Sequence, residues 1–121
     1  MNKLEEFDYI NKLLSLYEPL LTNTQQDIMK QYYAYNLSLS EISDNKGISR
    51  TAVLDCLHKS IAKLKDYENK LQLLKTKDKL LSKIEDIKKD LSIAKIEELE
   101  RMIDDGIWII NWSIKWHYKK A

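Results

Sequence analysis

The stretch from residue 37 to residue 53 constrains the fold of this chain more than any other feature. Ser38 stands three residues before Glu41, which is the spacing of a capping box at the start of a helix. Gly47, one of only two glycines in the chain, follows where the backbone must reverse with a positive φ. We expect Ile48 to fill the inner side of this turn. A short helix, a tight turn and the start of a longer helix predict a helix-turn-helix motif.

The helix after the turn is predicted to bury one face. Ser49 supplies its N-cap, so the helix begins at Arg50. Apolar residues then recur at spacings of three and four, which is the pattern of an amphipathic helix: Val53, Leu57, Ile61 and Leu64.

Two further helices are predicted before this motif. The first covers about residues 3–17 with one apolar face (Leu4, Phe7, Ile10, Leu14 and Tyr17), and Pro19 ends it. Leu20 and Leu21 are expected to enter the core. Thr22 and Gln25 form a second capping box, and the helix they begin should run to about Tyr35, with Asn36 as a left-handed C-cap. The second of these helices and the two helices of the motif together predict a trihelical unit of the DNA-binding type over about residues 22–60.

The composition favours an all-α protein. Only 2 Gly and 1 Pro occur in 121 residues, while 44% of residues are hydrophobic and 32% are charged. We predict three parts: residues 1–66 with the first helix and the helix-turn-helix unit, a long helical extension over 67–105, and a Trp-rich tail over 106–121. The formal net charge of +1 argues against strong non-specific binding to nucleic acid.

The extension has a narrow apolar stripe, typical of a helix that packs against another helix. The stripe contains Leu71, Leu74, Ile84, Ile87 and Leu91, with a polar break over residues 75–78. This break fits a bend or a short hairpin between two helices, and the pattern leaves both open. Because the stripe is longer than the small N-terminal unit can cover, we expect a twofold homodimer.

The tail differs in composition from the rest of the chain, since all 3 tryptophans lie in it. Trp108, Trp112 and Trp116 fit a helical stripe, but the apolar residues of this segment also alternate with period two, as in a strand. A segment docked on the long helices is the favoured interpretation. The alternatives are a membrane-interface anchor with Lys119 and Lys120, or a partner-binding segment.

The sequence shows no integral membrane segment, because no apolar run is long enough to cross a bilayer. The N-terminus also lacks the apolar core of a signal peptide. The single cysteine, Cys56, cannot form an internal disulfide, and a reducing cytoplasm is the expected location.

The second helix of a helix-turn-helix presents its N-terminal residues to DNA. The DNA-binding candidates are therefore Ser49, Arg50, Thr51, His58 and Lys59. Asp55 opposes this reading because a carboxylate repels phosphate. Residues 22–60 contain four basic and four acidic residues, whereas DNA-binding proteins depend on clustered cations.

The basic excess lies in the next segment. Residues 59–89 contain ten lysines against five acidic residues. A solvated helix face is the favoured interpretation, and the alternative is a surface that faces RNA or phosphate, represented by Lys70, Lys77 and Lys83.

Catalysis has little support in the residues. Cys56 and His58 are two apart on one helix and therefore point to different faces. Neither a metal-ligand cluster, nor a nucleophile with its base, nor a phosphate loop is recognisable. We expect a non-enzymatic protein without metal or cofactor.

Several blocks along the chain resemble one known family. They are residues 20–26 (LLTNTQQ), Tyr32-Tyr33, residues 37–42 (LSLSEI), residues 47–53 (GISRTAV) and residues 66–71 (DYENKL). This series resembles the YlxM family of small bacterial helix-turn-helix proteins, whose genes accompany those of signal recognition particle components. The motif is also similar to the promoter-reading domain of sigma factors.

The resemblance covers about residues 3–91 and implies an all-helical fold with a sigma-like helix-turn-helix. It further implies a regulatory protein that binds DNA and takes part in the signal recognition particle pathway. The alternative is an accessory factor of the secretion machinery that binds the signal recognition particle protein or RNA and does not bind DNA specifically.

Overall fold

The computed structural model describes residues 1–118, with side chains to residue 116, and these residues form an all-α protein. Its six α-helices are α1 (Lys3–Tyr17), α2 (Asn23–Tyr33), α3 (Leu39–Lys46), α4 (Arg50–Leu71), α5 (Leu73–Lys89) and α6 (Ile93–Tyr118). A short 3-10 helix, Glu18–Leu20, joins α1 to α2. The chain divides into two compact units, Met1–Tyr67 and Glu68–Ala121, and the boundary falls within α4.

The first unit has a core of aliphatic side chains from α1 to α4, with Tyr17 as the largest buried residue. The buried face of α4 is the predicted one, except that the small Ser60 is fully buried and Ile61 only partly. The Ser60 hydroxyl donates to the Cys56 carbonyl at 2.7 Å, which satisfies its hydrogen-bonding potential within the helix.

Local capping signals set the ends of these helices. Thr22 and Gln25 form both hydrogen bonds of a capping box. The helix that they begin ends at Tyr33 with Ala34 as its C-cap, two residues before the predicted end, so Asn36 is not the C-cap. Asn36 does have the predicted left-handed conformation, with φ 54°. Two expectations about the core are wrong. Leu20 and Ile48 stay 42% and 38% exposed, because Leu20 belongs to the 3-10 helix and Ile48 to the turn, and both side chains lie at the surface.

In the second unit, α5 and α6 form an antiparallel hairpin. Thr76 faces Gly106, and further along the pair the Lys83 ammonium binds the Glu98 carboxylate. This ammonium holds the pKa of Glu98 below its ordinary value. At the other end of α6, the buried Ser113 hydroxyl donates to the Lys70 carbonyl at 2.8 Å and so caps the last turn of α4.

Neither a bend nor a hairpin occurs at residues 75–78, because α5 runs through them without interruption. The helix break lies earlier, at Gln72, which has a left-handed φ of 54°. The Glu68 carboxylate stabilises this junction by accepting hydrogen bonds from the backbone N–H groups of Leu74 (3.0 Å) and Lys75 (3.2 Å). The hairpin turn itself occupies residues 90–92.

The Trp-rich segment is helical as far as it is described. α6 continues through residues 105 and 106 to Tyr118, so the strand alternative is wrong for this part. Trp112 and Trp116 stack with ring centroids 5.8 Å apart. Lys119 and Lys120 lie outside the described residues.

Candidate nucleic-acid interface

Helices α3 and α4 meet at the turn predicted from Gly47. This glycine has φ 67° and ψ 32°, and its N–H donates to the Ser43 carbonyl at 2.9 Å. The N–H of Ile48 donates to the same carbonyl at 3.2 Å. These bonds end α3 sharply and direct the chain into α4, which is the arrangement of a helix-turn-helix.

Helix α2 holds α3 in place through side-chain contacts at the surface. The Lys46 ammonium binds the Asp27 carboxylate, and the Asn45 amide donates to Gln31 at 3.2 Å. The hydrogen bond from Lys46, supported by one from Gln31, lowers the pKa of Asp27 below its ordinary value. Beneath these contacts, Ile42 of α3 and Val53 of α4 are fully buried, so the motif shares one apolar core.

The first turns of α4 present all five DNA-binding candidates to solvent. Ser49 accepts a hydrogen bond from the Ala52 N–H at 3.0 Å, which confirms its N-cap role. Arg50, Leu54 and His58 are exposed and recur every four residues, so they lie along one face of the helix. Thr51 and Lys59 are also exposed and lie beside this face.

Three of the four cations between residues 22 and 60 are held by carboxylates of the same chain. Lys30 binds Glu18 at 2.6 Å, Lys46 binds Asp27, and Lys59 binds Asp55 at 3.0 Å. Asp55 therefore neutralises Lys59 as well as facing outward. Among the residues that the structure describes, Arg50 alone of these four has no carboxylate within ion-pair distance.

The three lysines chosen from the sequence to represent a surface for RNA or phosphate do not share one face. Lys70 is half-buried on α4, Lys77 is exposed on α5, and Lys83 faces α6 in its ion pair with Glu98. Three other lysines of the same basic segment, Lys75, Lys79 and Lys89, are exposed and share one face of α5, although the sequence did not single them out. Their helical phase was readable from the sequence, but the position of the α5–α6 seam was not.

The side chains described in residues 1–116 form no recognisable catalytic or metal-binding group. Cys56 is half-buried and His58 is exposed on another face of α4. Groups of three or more His, Cys, Asp or Glu side chains that could hold a metal ion are absent from the described residues. Within the same part of the chain, no helix is both long and apolar enough to span a bilayer.

The capped short helix, the left-handed glycine and the exposed N-terminal turns of α4 define a helix-turn-helix protein. The comparison with family models agrees. Residues 4–104 match the UPF0122 model, described as "Putative helix-turn-helix protein, YlxM / p13 like". The chain belongs to the UPF0122 family, which confirms the resemblance found in the sequence.

Curated relatives support this assignment over most of the chain. The UPF0122 protein of Fusobacterium nucleatum is 35% identical over 102 residues, covering 84% of this chain and 96% of the relative. That of Thermoanaerobacter pseudethanolicus is 33% identical over 112 residues with the same coverage. The UPF0122 protein of Limosilactobacillus reuteri is 42% identical over a shorter match of 71 residues.

Proposed function

We propose that this protein is a non-enzymatic DNA-binding regulator that places the first turns of α4 in the major groove. The observation that carries the proposal is the exposed guanidinium of Arg50, which no carboxylate of the described chain neutralises. Arg50 would read a guanine or bind a phosphate, while Ser49 and Thr51 bind phosphate at the helix N-terminus. His58 and Lys59 would contact the backbone just over two helical turns further along.

The local charge pattern sets the expected strength of this interaction. The Lys59–Asp55 pair is an exposed i,i+4 contact, worth only about 0.3–0.5 kcal/mol, so a nearby phosphate can displace the carboxylate. A single copy still offers few free cations. Two copies on one DNA site would present two recognition helices and double the phosphate contacts.

The test first uses the full chain to select DNA sequences, and then compares the DNA affinities of variants at two arginines. Sheared genomic DNA of the source organism is bound, washed and sequenced, and affinities are measured on an enriched duplex. Arg50→Ala should weaken specific binding by about 1–3 kcal/mol and relax base preference. Arg101→Ala removes the same charge from an exposed site on α6 and should leave the affinity unchanged.

Two results would reject the regulator. One is the absence of any enriched sequence, and the other is equal binding of that duplex by wild type and Arg50→Ala. Equal weakening by Arg50→Ala and Arg101→Ala would show that total charge, and not α4, controls the interaction.

A second candidate function rests on the exposed lysines of α5. We propose as the alternative an accessory factor in the signal recognition particle pathway that binds the particle's protein or RNA through Lys75, Lys79 and Lys89. Reversing these three charges should abolish that binding. Lys83→Glu is not a clean test, because it also breaks the ion pair that joins α5 to α6. Unchanged binding by the triple variant would remove this candidate.

A further inference from the structure

The second half of α6, from Gly106 onward, is apolar around most of its circumference. Gly106 and Ser113 are buried where they contact α5 and the last turn of α4, and they mark one side of the helix. One apolar stripe lies on each flank of that side, tryptophans on one flank and isoleucines on the other. Their exposed fractions range from 46% to 66%, in Trp108, Trp112, Trp116, Ile107 and Ile114. The hairpin alone therefore leaves both stripes of this segment in water.

The side chains of this segment are those that favour the boundary between a bilayer and water. Tryptophan combines a large apolar ring with an N–H donor and concentrates in the headgroup region. Only two polar side chains between residues 107 and 116 are exposed, Asn111 and Lys115. A lysine can lay its aliphatic stem along lipid while its ammonium stays among the phosphates.

The charge of α6 changes sign at the same point. Residues 93–105 contain two basic and five acidic residues, whereas residues 106–121 contain three lysines and no Asp or Glu. Lys115 lies about 15 Å along the helix axis from Asp105, the last acidic residue. That distance exceeds the Debye length of about 8 Å at physiological salt, so Asp105 does little to weaken the attraction of Lys115 to an anionic surface.

The rest of the second unit has the same polarity. Residues 68–79, which run beside the second half of α6, contain four lysines and two acidic residues. Residues 80–105, which form the other end of the hairpin, contain five basic and eight acidic residues. The apolar, Trp-rich end of this unit is thus its basic end. This pairing of exposed tryptophan with cations complements a surface of anionic lipid.

A nucleic acid would also meet these cations, but it does not account for the apolar stripes. Base stacking requires an accessible ring face, and Trp112 and Trp116 already cover part of one face of each other, with their planes 6° apart. Isoleucines on the other flank would stay in water beside a polynucleotide. The boundary of headgroups and acyl chains can take up aromatic and aliphatic side chains together.

We propose that residues 106–118, the interfacial segment, hold this protein on anionic membranes. The tryptophans and isoleucines of the segment enter the headgroup region, and Lys115 lies beside lipid phosphates. The acidic end of the hairpin is repelled by the same surface, which orients the unit. The proposal goes beyond DNA binding and is independent of it, because the contact involves neither α3 nor the first turns of α4.

The full chain is tested with vesicles of phosphatidylglycerol and phosphatidylcholine, and with vesicles of phosphatidylcholine alone. Wild type should sediment with the anionic vesicles and much less with the neutral ones. All 3 tryptophans lie in the interfacial segment, so their emission should shift to the blue and be quenched by lipids with brominated acyl chains. Arg50→Ala should bind vesicles as wild type does, which separates this result from the DNA-binding proposal.

Two matched pairs of variants locate the contact. Ile107→Asp should weaken vesicle binding at least about tenfold, because its carboxylate resists burial and is repelled by anionic lipid. Ile93→Asp makes the same change at a 77% exposed isoleucine in the acidic half of α6 and should leave binding unchanged. Lys115→Glu should weaken binding at least about fivefold, and Lys88→Glu, at the acidic end, should not. Circular dichroism shows that each variant retains its helices.

Four results would overturn the proposal. They are a wild-type chain that stays in the supernatant with anionic vesicles, and equal weakening by Ile107→Asp and Ile93→Asp. Tryptophan emission that responds to polyuridylic acid and not to vesicles would assign the segment to RNA. A dimer in sedimentation equilibrium that Ile107→Asp dissociates, in a chain that binds no vesicles, would assign it to a second copy.

Discussion

Single residues decide the geometry of the α3–α4 turn, and Gly47 is the most important of them. Its φ of 67° lies in the left-handed region, which costs any residue with a Cβ about 1–2 kcal/mol. No heavy atom lies within 4 Å of where that Cβ would stand, so the cost is one of backbone conformation and not of packing.

Gly47→Ala should therefore lower the free energy of unfolding of the first unit by about 1–2 kcal/mol. Gly47→Asn should lose less, because asparagine tolerates the left-handed conformation. Urea unfolding followed by circular dichroism measures both variants. Equal stability of wild type and Gly47→Ala would contradict this account of the turn.

The hydroxyl of Tyr33 gives a prediction for alkaline pH. Burial raises the pKa of Tyr33 to about 12, and the neighbouring Tyr32 and Glu6 add to the effect. The unfolded chain releases this proton near pH 10.0, whereas the folded chain keeps it to about pH 12. The contribution to stability is thus complete below pH 10.0 and is lost as the pH rises toward 12.

Tyr33→Phe should reduce the loss of stability between these pH values, measured as the difference in urea midpoint between wild type and variant. Tyr9→Phe, on α1, is the control and should retain the wild-type pH dependence. Parallel curves for wild type and Tyr33→Phe would exclude the assigned role of Tyr33.

For single residues, the sequence correctly predicts a conformation or a capping role where it depends on neighbours a few positions away. Ser38, Thr22 and Ser49 act as caps as expected because the donor and acceptor lie within three residues of each other. Gln72 was not foreseen as a left-handed residue, since glutamine has no intrinsic preference for that conformation. Its conformation depends on the two helices that it joins and on the Glu68 cap.

Among the helices, the α5–α6 contact depends on a close approach at Gly106. A Cβ at this position would lie 2.7 Å from the Thr76 Cγ2 atom, and the branched threonine side chain has little freedom to move away. The second glycine of the chain is therefore a packing residue, unlike Gly47.

Gly106→Ala should destabilise the hairpin by about 1–2 kcal/mol, because the overpacking outweighs the higher helix propensity of alanine. Thr76→Ser removes only the methyl group that would clash, so the double variant should recover the lost stability. Thermal unfolding of the single and double variants measures this coupling. Additive losses in the double variant would show that the two residues do not meet.

The expectations for helices and connections had mixed outcomes. The helix-turn-helix was predicted well, because each helix has its own cap and apolar period. The polar run at residues 75–78 was a misleading signal. In a hairpin of two helices, more than half of each helix surface stays in water, so Lys75, Lys77 and Asp78 fit inside a continuous helix.

For the whole molecule, the number of available cations determines how strongly DNA binding depends on salt. The net charge is +1, and each copy offers Arg50 together with Lys59 once that lysine leaves Asp55. Two copies would make about four phosphate contacts, which predicts a slope of about −4 for log K against log salt. Fluorescence anisotropy on the enriched duplex measures it. A slope near −8 would mean that the α5 lysines also bind DNA.

The overall organisation was harder to predict than its parts. Sequence periodicity indicated long helices and a surplus of apolar surface, but it did not show where α5 turns back into α6. That turn determines which lysines of α5 stay in solvent and which, like Lys83, bind α6. The family assignment could be made from short blocks because they coincide with the caps and the turn of the motif.

The aromatic residues are divided between the two units in a way that helps experiments. All 3 tryptophans lie on α6, whereas six of the 7 tyrosines lie within Met1–Tyr67. Tryptophan emission therefore monitors the hairpin, and tyrosine absorbance monitors chiefly the helix-turn-helix unit. Without any attached label, a single denaturation series can report whether the two halves of the molecule lose their structure in one step or in sequence.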